Sequence, residues 1–350
     1  MIVDAIIFTR DMQRSYYLDN ICCILILHMI YIYHIADRCG GFYPTIVSHA
    51  VITLSFFMSW FFFKGGMMHR VDTTKEIVKK SVKRLLVPYI AFGIIGFVLD
   101  GIIFFSNQTE CGMMAFMGRQ IDSFLRHTVM WSTAASWFLL SLFVARTIFN
   151  ALCNKIHPLL LTTFFAFTAY CIYIANIYDV GFNLKIGAHN LYYNFPSHYM
   201  GTMCHGLSVY SLGYFLREKQ FDSKILSISV IIFVLKYFIL DGIDFKMNEP
   251  ANNYLLAVLY GMAGCVVINN IFRRFVNVRI PLISYIGKNS MVYYLVHYPV
   301  MIITISLFWE PFINKELWLR FLVLASVVTI SLIIADYVFR NKKLRFIIGG

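Results

Sequence analysis

Ten apolar segments punctuate this chain, at 17–35, 44–63, 87–105, 130–149, 158–177, 199–216, 224–240, 253–272, 287–308 and 318–338. Each is close to the ~20 residues that an α-helix needs to cross a hydrocarbon core. Only short polar stretches separate them, so little chain is left over for a large extramembrane domain. Composition agrees. The chain is 59% hydrophobic and 14% charged, with a mean hydropathy of +0.68, whereas soluble domains carry roughly 25% charged residues. Phe 33, Tyr 22 and Met 16 against Pro 8 also exclude a disordered chain. No internal repeat, linker or composition break appears. The expected fold is therefore all-α: one integral-membrane domain over residues 1–350, with about ten transmembrane helices.

The formal charge of +12 is a topology signal rather than a nucleic-acid signal, because of where it falls. With the N-terminus inside, most Lys and Arg residues lie on cytoplasmic segments. The densest run is Lys75 to Arg84, and Arg340, Lys342, Lys343 and Arg345 follow the last segment. Both termini are expected in the cytoplasm. The first segment carries Asp19, His28 and His34 and ends in Asp37-Arg38-Cys39 with no small-x-small cleavage site, so it is read as a permanent span. Within KEIVKKSVKRLLVPY, residues Ile77, Val78, Val82, Leu85 and Leu86 recur at helical spacing between lysines, which predicts a helix lying at the cytoplasmic interface. The outer stretch 178–198 is rich in Asn, Tyr and His. It suits either an aromatic belt or a surface on which a sugar stacks.

Ionisable groups inside a membrane cost a few kcal/mol each unless they meet a partner or a cavity. In the first span, His28 and His34 are six residues apart, roughly 9 Å of rise and 600° of rotation on a regular helix, so they face different sides. In the ninth, Gly287-Lys288-Asn289-Ser290 opens a segment containing Tyr293, Tyr294 and His297. Counted from the inner edge, His28 and His297 reach a similar depth of about 15 Å, which makes them candidates for one shared cavity. Gly287 to Ser290 reads equally as a helix cap with a lysine reaching the headgroups. No HExxH, GxSxG, P-loop or dinucleotide motif occurs. His198 and His205, seven apart without nearby carboxylates, make a poor metal pair, so no metal is expected. Cys39 and Cys111 both fall on outer loops and are candidates for pairing.

Six stretches in order resemble the acyltransferase 3 family of bacterial membrane O-acyltransferases. YLDNICCILILHMIYIYH at 17–34 is similar to the family's first span, which opens with an aspartate and closes with a histidine. FFMSWFFFKGGMM at 56–68 resembles its FFF-x-(S/G)-G turn, and KKSVKRLLVPYIAF at 79–92 its basic run into Leu-Leu-x-Pro-Tyr. SWFLLSLFVAR at 136–146, SVYSLGYFLREK at 208–219 and ISYIGKNSMVYYLVHYPV at 283–300 are similar to three later segments. Two departures stand out. The family's first-span histidine follows an Arg or Lys by eleven positions, but Cys23 occupies that place before His34 and Tyr17 before His28. The interval from Asp19 to His34 is also one residue longer than the family pattern.

The resemblance implies transfer of an acyl group, usually acetyl, from cytoplasmic acyl-CoA to a sugar hydroxyl of a surface or exported glycan. It places the protein in the bacterial inner membrane, with the lipid bilayer, acyl-CoA and a glycan or glycolipid acceptor as partners. No nucleic acid and no bound cofactor enter, since acetyl-CoA is a substrate. His34, which ends the Met-Ile-x-x-x-His stretch, matches the family's catalytic histidine best, with His28 in reserve. An imidazole is a suitable base for a hydroxyl nucleophile. Lys79, Lys80, Lys83 and Arg84, with Lys64, form the candidate dock for the CoA phosphates, or serve only topology and lipid contact. Trp137, Asn289, Ser290, Tyr294 and His297 are candidates for the substrate cavity. A transporter or flippase for a glycan intermediate also needs buried polar groups, but the repeats and broken spans typical of that class are not seen.

The charge asymmetry generates the first test. Tags placed at either terminus should be reachable only from the cytoplasmic side; an externally accessible C-terminus would require an odd number of spans.

Overall fold

The structure is a computed structural model that describes residues 15–39, 56–107, 112–177, 181–186, 189–194, 198–239, 254–308 and 315–350. Helix α1 (Tyr16–Leu27) runs directly into a π-helical stretch, His28–Ala36. α2 (Phe57–Met67) follows, then α3 (Thr74–Ser81), which passes through a π-turn (Val82–Leu86) into α4 (Val87–Asn107). α5 (Met113–His127) leads to a 3₁₀ segment, Trp131–Ser136, and on into α6 (Trp137–Leu152). The remainder comprises α7 (Pro158–Ile177), α8 (His198–Leu216), α9 (Ser223–Ile239), α10 (Tyr254–Phe275), α11 (Pro281–Lys288), α12 (Ser290–Phe308) and α13 (Leu317–Phe339).

Among the described residues, seven stretches are long and apolar enough to cross a membrane: 16–36, 74–106, 131–152, 158–175, 254–275, 290–307 and 317–339. The other three expected spans are helical where described. Of these, α9 contributes a shorter apolar helix, Ser223–Leu235, among the described residues, α8 interrupts its apolar run with Thr202, His205, Ser208 and Ser211, and residues 44–55 lie outside the described residues.

One departure from an all-helical reading lies in the outer stretch, where Gly181–Ile186 (β1) and His189–Asn194 (β2) pair antiparallel with Leu184 opposite Leu191. Period-2 alternation over so short a run was hidden by its polar composition. The amphipathic helix forms as expected. Thr73 accepts the N–H of Glu76 at its start, Ile77 and Leu85 are buried, and Lys75, Lys79, Lys80, Lys83 and Arg84 are exposed. It is not a separate interfacial piece, however, because it continues unbroken into α4.

Packing is set by polar ties that lipid cannot replace. Asn20 of α1 donates to the carbonyls of Val276 (2.8 Å) and Val278 (3.0 Å), and it accepts from Ser284 Oγ at 2.8 Å. The inner end of α1 is thereby fixed to the α10–α11 connection and packs along α11. Trp60 Nε1 donates to Asn269 Oδ1 (2.9 Å), whose amide donates to Gln220 Oε1 (2.9 Å), joining α2, α10 and the turn after α8. Asp100, an acid inside α4, accepts the backbone N–H groups of Trp131 (3.1 Å) and Ser132 (3.0 Å). It thus satisfies the start of the 3₁₀ segment, where orphan donors would otherwise face hydrocarbon.

Gly287 in α11 lies directly against the Asp19 backbone carbonyl, so a Cβ there would overlap main chain. Gly287→Ala should cost about 1–3 kcal/mol, the usual range for overpacking a tight contact. Gly93→Ala, where an added Cβ meets nothing within 4 Å, should leave stability unchanged or slightly raised. Thermal unfolding of both variants in detergent checks the pair. Equal stability would remove the α1–α11 contact from the list of packing constraints.

Candidate functional site

The π-helical winding of His28–Ala36 decides where the first-span histidines point. Such stretches wind more residues into each turn than an α-helix and recur at functional sites. The extra residue between Asp19 and His34 is accommodated in this stretch, and His34 faces α12. Its ring centroid lies 5.2 Å from that of His297 and 5.3 Å from that of Tyr298, with Tyr33 at 5.0 Å. The expected sharing of a cavity by His28 and His297 is therefore corrected: His28 packs edge-on to Phe57 of α2 at 6.0 Å, and His34 takes the place opposite His297. The residues before His28 are regular α-helix, so the π-helical winding changes the direction of His34 and not the depth of His28. In addition, the ninth segment is not one straight helix. Asn289, at φ −101° and ψ 19°, separates α11 from α12.

His297 is 1% exposed. Its Nδ1 lies 2.8 Å from the Tyr294 carbonyl oxygen and 3.2 Å from that of Tyr293. A carbonyl only accepts, so Nδ1 carries the hydrogen and the neutral ring presents a lone pair at Nε2. That Nε2 is buried without a hydrogen-bond partner among the described residues, as is the Nε2 of His28. Tyr294 donates to the Ala135 carbonyl and sets its ring 6.2 Å from His297 and 5.6 Å from Phe138. The bundle thus brings together His34, His297, Tyr294 and Tyr298.

Other expected residues are placed elsewhere. Trp137 is half-buried, with its ring edge-on to Phe138 (6.1 Å) and Tyr199 (6.0 Å). It reaches the histidine pair only through Phe138 and Tyr294. Asn289 donates back to the Tyr285 carbonyl at 3.0 Å, and Ser290 begins α12. These two shape the helix break at the inner end. Lys64 separates from the basic cluster it neighbours in sequence, because α2 turns it into the bundle. There its Nζ lies 2.8 Å from Cys22 Sγ and 5.4 Å from the Trp60 ring centroid. Lys79, Lys80, Lys83 and Arg84 remain on the exposed face of α3 and the π-turn. Lys80 pairs with Asp72 at 2.6 Å, and its hydrogen bond holds that carboxyl below the usual carboxylate range.

His205 hydrogen-bonds Tyr254 OH (2.8 Å) and Ser59 Oγ (3.4 Å), tying α8 to α10 and α2. No group of three potential metal ligands occurs among the described residues. Cys39 is buried at the end of the π-helix, and Cys111 lies outside the described residues. Tyr298 escaped the sequence reading because, in a chain with 22 tyrosines, one more beside His297 carries no signal. The extra residue in the first span was the available clue to the π-helix.

A family model described as an acyltransferase domain, Acyl_transf_3, matches residues 15–336, nearly the whole chain. The chain belongs to the acyltransferase 3 family. No curated protein and no solved structure matches it. For this family member, membrane acyl transfer is the activity that the histidine pair must be read against.

The acyltransferase has a second buried histidine system at the end of α2. His69, just after α2, bonds Tyr210 OH (2.8 Å) and Asn150 Oδ1 (3.2 Å), while the Asn150 amide donates to the Asp72 carbonyl (3.0 Å). The connection leading into α3 is thereby pinned to α6 and α8. Burial, opposed by the Asn150 hydrogen bond, lowers the His69 pKa to about 4 from 6.5. The fold therefore favours the neutral ring. Its stabilisation is complete above about pH 6.5 and is lost as pH falls toward 4, where the unfolded chain binds the proton first. His69→Gln should flatten the dependence of melting temperature on pH between these limits. Parallel curves for the variant and the wild type would show that the ring carries no such linkage.

Proposed function

We propose that the protein is an O-acyltransferase that moves an acyl group, acetyl in the first instance, from cytoplasmic acyl-CoA to a sugar hydroxyl of a surface or exported glycan. The observation that carries the reading is the juxtaposition of His34 and His297 inside the bundle, within a chain whose family is defined by acyl transfer. A sugar hydroxyl attacks a thioester only if a base takes its proton as the C–O bond forms. His34 is the base in this reading. The hydroxyl oxygen adds to the thioester carbonyl, the C–S bond breaks, and the CoA thiolate leaves with the proton that His34 has collected. The bilayer sets the geometry of supply: a polyanionic donor comes from the cytoplasm and an exported acceptor from the outer side, so the base belongs between them.

The exposed cations Lys79, Lys80, Lys83 and Arg84 are the proposed phosphate dock, and Lys64 is the inward cation nearest the first span. Phosphate contacts persist in ground and transition states alike, so this dock should govern KM rather than kcat. The expected setting is the bacterial inner membrane.

The test uses labelled acetyl-CoA and native membrane vesicles, with acyl transfer to glycan normalised to the amount of each variant. His34→Ala should remain inserted and lose about 10²–10⁴-fold, the usual contribution of a positioned acid–base group. His28→Ala should lose less activity and more stability, since His28 packs against Phe57 in the bundle core. Full activity in His34→Ala beside a folded, inactive His28→Ala would reverse the assignment. Full activity in both would remove the first span from the chemistry.

A further inference from the structure

A neutral imidazole has one N–H and one lone pair, and whatever binds the first nitrogen fixes the task of the second. In His297 the backbone makes this choice. The carbonyls of Tyr293 and Tyr294 hold the hydrogen on Nδ1, so Nε2 is an acceptor. Leaving a buried acceptor without a donor carries a desolvation cost that nothing repays. His205 avoids that cost by bonding at both nitrogens; His28 does not, but its ring packs against Phe57 and not against a second imidazole. His297 instead keeps Nε2 open at 1% exposure, with the His34 ring 5.2 Å away and inclined by 35°. The two rings do not hydrogen-bond here, and catalytic bonds characteristically tighten when substrate arrives.

We propose that His297 is a positioning residue for His34: its Nε2 accepts the N–H of one His34 ring nitrogen and leaves the other His34 nitrogen as the base. This rests on the acyl-transfer reading above. The hydroxyl proton passes to the free nitrogen of His34 as the oxygen attacks, and the resulting imidazolium keeps its other N–H on His297 Nε2. When the C–S bond breaks, the thiolate takes the proton back. His297 never changes its own protonation, because its second nitrogen stays bonded to main chain. It does for His34 what a buried carboxylate does for the histidine of a serine hydrolase, and being neutral it adds no buried charge. Tyr298 flanks the pair edge-on at 5.3 Å from His34 and 6.0 Å from His297, leaving His34 restricted in how it can turn.

Two substitutions separate orientation from packing. His297→Phe keeps a ring but removes the acceptor, and His297→Gln places an amide oxygen near the position of Nε2. With acetyl-CoA and native vesicles, His297→Phe should lower kcat by about 10–100-fold, the usual loss when the partner that orients a histidine is removed. KM for acetyl-CoA should stay unchanged, and His297→Gln should recover most of the rate. His34→Ala with His297→Phe should be no slower than His34→Ala alone, because residues acting as a unit are not additive. Independently of turnover, ¹⁵N spectra of histidine-labelled protein in liposomes should show His297 as the Nδ1–H tautomer, with the His34 tautomer balance altered in His297→Phe. Wild-type kcat in His297→Phe, additive losses with His34→Ala, or unchanged His34 ring signals would each overturn the proposal. If wild-type vesicles transfer no acetyl group, the functional reading falls, and the ring spectra alone decide the pairing.

Discussion

The amide of Asn20 joins the two ends of this bundle. One side chain near the start of the chain satisfies two carbonyls and a hydroxyl that lie more than 250 positions later. In hydrocarbon those groups have no alternative partner, so the tie specifies an arrangement instead of merely adding to stability. With Gly287 lying against the Asp19 carbonyl, it fixes the starting height of α1 relative to α11. Everything further up the first span, including which histidine meets α12, is then set by how many residues the helix winds into each turn. Tyr31 OH, bonded to Thr329 Oγ1 at 2.7 Å, holds the π-helical stretch against α13 as well.

Seen this way, the π-helix is part of the site. On a regular helix His34 would take a different direction, and the open Nε2 of His297 would face another side chain. The nearby 3₁₀ segment has a comparable role. It hangs from Asp100 through two backbone N–H groups and from the Gly96 carbonyl through Ser132 Oγ at 3.1 Å. Its Ala135 carbonyl in turn receives Tyr294 OH. Irregular backbone inside a membrane protein is tolerated where protein groups satisfy it, and here both irregular segments border the same pair of rings.

The helical character of the chain was legible from apolar periodicity and length, and the exposed and buried faces of α3 from the lysines between Ile77 and Leu85. The pairing of β1 with β2 was not, because a composition of Asn, Tyr and His says nothing about cross-strand partners. Site residues were legible by type, since histidines in a span are costly unless used or bonded. Their mutual positions were not. Depth counting says nothing of direction, which the π-helix changes for His34, and it assumed one straight helix over the ninth segment, which the break at Asn289 violates. Lys64 was grouped with the lysines of α3 because they are near in sequence, yet the end of α2 directs it to Cys22. Sequence distance is a poor guide to side-chain direction wherever a helix ends.

The unbroken passage from α3 through the π-turn into α4 has an electrostatic consequence. No loop lets the basic helix rise or sink relative to α4, so in the proposed cytoplasmic placement its lysines share one height above the inner leaflet. That leaflet carries a negative surface potential of about −30 mV, which decays within a Debye length of about 8 Å at physiological ionic strength. Acyl-CoA, the proposed donor, is a polyanion and is depleted in this layer, where anionic lipid headgroups also compete for the same cations. Five exposed cations held rigidly there locally offset the field that excludes the donor. In this proposal the rate at which a polyanion is captured depends on the lipid composition of the membrane and on salt.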